Sequence, residues 1–186
     1  MADFIKITIN LVVICAMAGI ILSATWAMTD PVRLAKEAQE REAALKALIP
    51  DADSIKPVKD VVIADKEGII YRAERAGATT GYVVLSYGRG YSSFIRMLVA
   101  VDMEYRILGI DILGHGETPG LGDQIQTDEF KARFKGKAPE NLKVVKGETE
   151  TDIQAISGAT VSSRAVTKGA KDAVETLKRE LEAGAL

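Results

Sequence analysis

Two short segments of this chain hold residues whose types and spacing suit a ligand. The first is Gly114-His115-Gly116-Glu117-Thr118-Pro119-Gly120-Leu121-Gly122. Four glycines in nine residues let a backbone approach a flat ligand closely or turn with positive φ. The segment also directly follows a run of strand character, where binding residues tend to sit. The same composition makes an ordinary surface turn, and composition alone favours that reading. It is not a dinucleotide fingerprint, because no helix opens where the glycines end and no βαβ unit surrounds it. The second segment is Ser157-Gly158-Ala159-Thr160, continued by Val161-Ser162-Ser163. These small residues open the terminal helix. A helix start has unpaired N–H groups and the positive end of a dipole, which suit a phosphate. The plainer alternative is a helix cap formed by Ser157, Thr160 or Ser162.

Composition narrows the chemistry. The chain has 186 residues, a net charge of -2, one cysteine and one histidine. Cys15 lies inside an apolar stretch, so disulfides, thiolate metal sites and cysteine-ligated iron–sulfur clusters within this chain are excluded. The lone His115 argues against a histidine metal site or a Ser-His triad, and as an exposed turn residue it is a weak catalytic candidate. Lys and Arg are interleaved with Asp and Glu, with no basic stripe to meet a nucleic acid. Redox chemistry on this chain therefore requires an organic cofactor; no metal ligands and no self-contained catalytic residues are assigned.

The elements that must position the two segments follow from the hydropathy pattern. No residue from Ile7 to Met28 is charged. At 1.5 Å per residue that stretch spans about 33 Å, enough for the hydrocarbon core of a bilayer. Lys6 flanks one end; Trp26 and Asp30-Pro31 mark the other. A cleaved signal peptide is the rival reading, but the apolar region is long for one and Thr25-Trp26-Ala27 is a poor cleavage site. Arg33, Lys36 and Arg41 oppose Lys6 and the amino terminus, so charge counting leaves the orientation open. Val32 to Ile49 reads as a helical stem stopped by Pro50. Short runs of strand character follow at Val58 to Ala64, Gly68 to Arg75, Gly81 to Tyr87, Ser92 to Val101 and Ile107 to Leu113. No long helices separate them, which favours antiparallel pairing. Gln126 to Phe134 reads as a short helix and Lys143 to Lys146 as a strand. Ser162 to Leu181 is an amphipathic helix with Val166, Ala170, Ala173, Val174, Leu177 and Leu181 on one face. The expected fold is α+β, a twisted antiparallel sheet with packed helices, preceded by one N-terminal transmembrane helix. The divisions are an anchor at 1–30, a stem at 31–50 and a ligand-binding domain at 51–186.

Taken together, the two segments resemble the FMN-binding domain family, in particular the G subunit of the Rnf electron-transport complex. Ser157-Gly158-Ala159-Thr160 resembles the family's flavinylation motif, with Thr160 at the acceptor position. Glu117-Thr118-Pro119-Gly120-Leu121-Gly122 resembles the loop that lies by the flavin ring. The resemblance extends over essentially the whole chain. It implies FMN esterified through its phosphate to the Thr160 hydroxyl, installed by a flavin transferase that uses FAD and magnesium. It implies Ser157, Gly158, Ala159 and Ser162 around the phosphate, and Glu117, Thr118, Gly120 and Leu121 beside the ring. It also implies an electron carrier among other subunits of a membrane redox complex, an Rnf-type ferredoxin:NAD oxidoreductase in the inner membrane. The soluble domain would then be extracytoplasmic. Where the family motif usually has Asp three residues before its Ser, this chain has Gln154. The alternatives are the related C subunit of the sodium-pumping NADH:quinone reductase, an anchored flavin-binding module without electron-transfer duty, and a structural membrane adaptor in which Thr160 is only a cap.

Overall fold

The computed structural model describes residues 1–184 and Leu186, and the chain divides into two compact units, residues 1–41 and 42–186. Helix α1, Ala2–Leu48, belongs to both. In the first unit its apolar residues are exposed, and the helix is long and apolar enough to cross a membrane. Charges resume at Asp30, which pairs with Arg33 at 2.7 Å, and Arg33 also pairs with Glu37 at 2.8 Å. The stem expected to begin at Val32 is not a separate helix. Pro31 sits inside α1 without ending it, although proline removes one backbone donor and usually kinks or breaks a helix.

In the second unit, five strands form an antiparallel meander in the order β1–β5: Ser54–Ile63, Lys66–Arg75, Ala78–Arg89, Phe94–Val101 and Ile107–Gly114. Each expected strand is present, with ends moved by a few residues. Alternation along the central strands divides the core in two. Tyr82, Val84, Ile95, Met97, Val99 and Val101 face one way, while Val83, Leu85, Leu98 and Ala100 face the other. The second face is covered by the last turns of α1 through Ala44, Leu45 and Leu48. Both faces being buried explains why these strands read as nearly continuous apolar runs.

The first face is covered by α3, Thr160–Glu182. Val166, Ala170, Ala173, Val174 and Leu177 are fully buried against the sheet, while Leu181 is partly buried. Burying a Val or Leu side chain contributes roughly 1.5–3 kcal/mol each, so this stripe fixes where the helix lies. Glycines bring it close. A Cβ on Gly88 of β3 would lie 2.1 Å from the Ala165 carbonyl oxygen, and Ser86 Oγ donates to the Gly169 carbonyl at 2.8 Å.

The stretch read as one short helix, Gln126 to Phe134, is instead a 3-10 turn at Gly122–Gln126 and a brief α2, Asp128–Ala132. Thr127 separates them; its extended backbone breaks the run and its side chain caps α2. Strand β6, Val144–Val145, pairs parallel with β7, Ile153–Gln154. Two residues carry no readable period, so β7 left no signal in the sequence. The pairing matters because it fixes the segment that leads into α3.

Candidate functional site

The site is built where three segments meet: the β3–β4 turn, the glycine-rich loop after β5, and the start of α3. A register shift at Arg96/Met97 ends the β4–β5 pairing with Arg96 opposite Gly114, where the glycine-rich loop begins. His115 Nδ1 then accepts the Glu117 amide at 3.1 Å, and Ser93 Oγ accepts the Gly116 amide at 2.7 Å. His115 thus serves loop geometry. Gly120 has φ +76° and shapes the turn in which the Leu121 amide donates to the Thr118 carbonyl at 3.2 Å.

Glu117 is the buried hub. Its carboxylate accepts the amides of Ser92 (3.0 Å), Tyr91 (3.1 Å) and Ser93 (3.4 Å), together with the Ser162 hydroxyl (2.5 Å). A Cβ on Gly90 would lie 2.4 Å from Glu117 Oε1, and one on Gly122 would lie 2.7 Å from Glu117 Cβ. Side chains at either position would dislodge the carboxylate. Burial by itself pushes the Glu117 pKa up, but the Ser162 hydroxyl and the amides of Ser92, Tyr91 and Ser93 outweigh it and hold it below the usual glutamate value. Stabilisation of the ionised form by such donors is the expected result.

That depression makes stability depend on pH. A carboxylate whose folded-state pKa lies below its unfolded value contributes stability above the unfolded value, near pH 4.5. The contribution is lost as pH falls through the folded value. Wild type should therefore lose thermal stability below about pH 4.5 more steeply than Glu117→Gln, which starts lower at pH 7 but lacks this ionisation. Parallel melting temperatures from pH 7 to pH 3 would contradict the role given to the carboxylate.

The start of α3 differs from the simple cap considered above. Its N-cap is Ala159, and no side chain caps it. Ser163 Oγ instead accepts the Ile156 amide at 3.0 Å and donates to the Ala159 carbonyl at 2.9 Å. Ser162 is committed to Glu117. Thr160 differs from both: no hydrogen bond among the described residues engages its hydroxyl. Gly158 has φ +77°, and a Cβ there would come within 3.2 Å of Leu121 Cδ2. The small residue therefore keeps the approach to Thr160 open.

Two clefts meet at Thr160. One, of about 430 Å³, is lined by Tyr91, Glu117, Thr118, Leu121, Gly122, Gly158, Ala159, Thr160, Val161 and Ser162. The other, of about 580 Å³, includes Thr160, Ser157, Gly158, Gln154, Arg133 and Lys146. Most of the residues expected to act together are thus gathered on the first cleft. Gly120 lies off it in the adjacent turn, and Ser157 lines only the second. Glu117 borders the first cleft with its carboxylate tied into the turn rather than free for a ligand. Sequence reading missed Tyr91 and gave Val161 no role of its own within the second segment, because single exposed apolar residues carry no periodic signal, and missed Arg133 and Lys146 for lack of any nearby motif. Arg133 Nη1 donates to the Gln154 carbonyl at 2.7 Å.

The family model of the FMN-binding domain matches residues 90–175. The G subunit of the proton-translocating ferredoxin:NAD(+) oxidoreductase complex of Clostridium ljungdahlii is 39% identical over 170 residues, covering 91% of this chain and 89% of its own length. The chain belongs to the FMN-binding domain family.

The matched stretch contains the β3–β4 turn, both ligand segments and most of α3. Another relative, the G subunit of the Na(+)-translocating ferredoxin:NAD(+) oxidoreductase complex of Acetobacterium woodii, is 32% identical and covers 91% of this chain and 89% of its own. Among solved structures, NqrC of Shewanella oneidensis superposes with a TM-score of 0.56 at 28% identity, covering 77% of this chain and 74% of that one. The α+β architecture expected from the strand pattern is therefore the FMN-binding fold, with an N-terminal helix of membrane-spanning length ahead of it. An FMN-binding site fits the first cleft: its volume lies in the range of small-molecule pockets, Leu121 and Val161 supply apolar wall, and Thr160 sits at its edge.

Proposed function

We propose that this chain is the membrane-anchored, electron-carrying G subunit of an Rnf-type ion-translocating ferredoxin:NAD oxidoreductase, with FMN joined covalently through its phosphate to Thr160. One observation carries the covalent part. Of the hydroxyls in the first turn of α3, Ser162 and Ser163 are engaged, whereas Thr160 is unengaged and borders both clefts. Identity to G subunits over nine-tenths of the chain supports the complex. Their identities of 39% and 32% favour it over the quinone-reductase C subunit, whose solved example is 28% identical.

The chain's own residues then have distinct duties. When bound, the flavin supplies the electron-carrying chemistry; the protein orients it and tunes it. Thr160 tethers. Backbone N–H groups at the uncapped start of α3, around Gly158 to Ser162, favour a negative phosphodiester there by on the order of 0.3–1 kcal/mol. That contribution is too small to retain a cofactor, which is why an ester matters. Leu121 and Val161 shield the ring from water, and Thr118 offers it a hydroxyl. Ser157, Gly158 and Ala159 keep the approach to Thr160 clear of bulky side chains; Gly120 sets the loop.

Residues 1–30 hold the subunit in the membrane, 31–50 form its stem, and 51–186 carry the flavin on the extracytoplasmic side. A flavin transferase acting with FAD and magnesium loads it. Intact mass with in-gel flavin fluorescence, on protein from the native membrane, tests the reading. A mass equal to the bare polypeptide would instead support an adaptor with a structural Thr160. Gln154 gives a second test. Gln154 lines the second cleft together with Arg133 and Lys146. Gln154→Asp should raise the flavinylated fraction under limiting transferase. An unchanged fraction would mean that this position does not limit recognition.

A further inference from the structure

Among the buried side chains of the described residues, Glu117 alone carries a charge. Its partners are three amides and a hydroxyl; no Lys or Arg among the described residues pairs with it. Dipoles of this kind stabilise an anion without neutralising it. The carboxylate is also immobile, because Gly90 and Gly122 close around it with no room for a Cβ. The same residue borders the 430 Å³ cleft beside Thr118 and Leu121. A net negative charge is thus fixed at the wall of the cleft, shielded from water that would screen it.

We propose that Glu117 acts as a fixed charge that lowers the reduction potential of a flavin seated in this cleft, making the carrier a stronger reductant. The inference rests on the flavin reading of the cleft. Reduction adds electrons to the ring, and each meets a like charge that cannot move away. Glu117 touches the turn and α3 as well, so a purely structural clamp is the competing explanation. The two differ in sign. Loosening the site would move the potential in one direction whichever partner is removed. Removing the charge should raise the potential, whereas removing a donor to the charge should not.

The test uses the full chain, flavinylated in detergent, with loading checked by intact mass and folding by thermal melting. Reductive titration against reference dyes then reads the potential of wild type, Glu117→Gln and Ser162→Ala. Glu117→Gln should favour reduction by about tenfold, which is about 59 mV for a one-electron couple. Ser162→Ala, which removes one donor from the charge, should not raise the potential. Equal potentials in wild type and Glu117→Gln overturn the proposal, and so does a rise shared by both variants. Should Glu117→Gln fail to fold, a rise in Ser162→Ala alone overturns it. A wild-type mass without flavin removes the flavin reading itself, and this inference with it. A flavinylated wild type with unmoved potentials leaves that reading standing.

Discussion

Thr160→Ala should abolish covalent flavin while the domain remains folded. The loss should be complete, from a yellow, in-gel fluorescent band to none, because the ester has no other oxygen to form on at this position. Ser162 is not a substitute: its hydroxyl is buried and held by Glu117. Ser163 is tied to the Ile156 amide and the Ala159 carbonyl. Ser157 lies on the opposite side of Gly158 and borders only the second cleft. Stability should hardly change, since Thr160 is not the cap of α3 and its hydroxyl holds nothing among the described residues. Substitutions away from such features usually fall within about 0.5 kcal/mol. Denaturing gel fluorescence and intact mass give the first result, and thermal melting the second. Flavin content in Thr160→Ala equal to wild type would sink the covalent assignment. Loss of fold would show that the residue has a structural role that the hydrogen bonding does not reveal.

Gly88→Ala should have the largest effect on the fold and should damage the site from a distance. The new methyl would sit 2.1 Å from the Ala165 oxygen and 2.6 Å from its carbonyl carbon, both backbone atoms. Neither can rotate away, so α3 or β3 must move. Overpacking of a tight core costs 1–3 kcal/mol and occasionally more; with backbone on both sides, about 3 kcal/mol is expected. That corresponds to a fall in Tm on the order of 10 °C for a domain of this size. Thr160 is the first residue of α3, so moving the helix displaces it from both clefts, and the flavinylated fraction should fall with stability. Gly147→Ala is the control: no atom lies within 4 Å of a Cβ there, and its Tm should stay near wild type. Similar melting temperatures for the two variants would show that the close approach is not what sets the position of α3.

The sequence was most informative where a pattern runs over many residues. The uncharged stretch from Ile7 to Met28 marked the membrane-length helix, and the 3.6-residue stripe from Val166 to Leu177 marked α3. Five runs of β-type residues without intervening helices marked the antiparallel sheet. Elements fixed by partners elsewhere in the chain were not legible. Two-residue β7 exists because Val144 and Val145 pair with it. The continuous helix through Pro31 runs against the local preference of proline, and Thr127 divided what read as a single helix.

The site divides in the same way. By itself the sequence determined that a small, hydroxyl-rich segment opens the last helix, with Thr160 in a motif-like position, and that a glycine-rich loop follows a strand. Those properties are local, set by residue type and spacing. Only the tertiary structure decided which hydroxyl is free. Glu117, 45 positions from Ser162 along the chain, takes the Ser162 hydroxyl, and Ser163 turns to the backbone, so Thr160 is left at the junction of two clefts. The tertiary structure also added to the part given to Glu117: it borders the cleft and is a buried anion joining three segments. That role depends on amides from the β3–β4 turn, and no pattern within the glycine-rich loop encodes their approach.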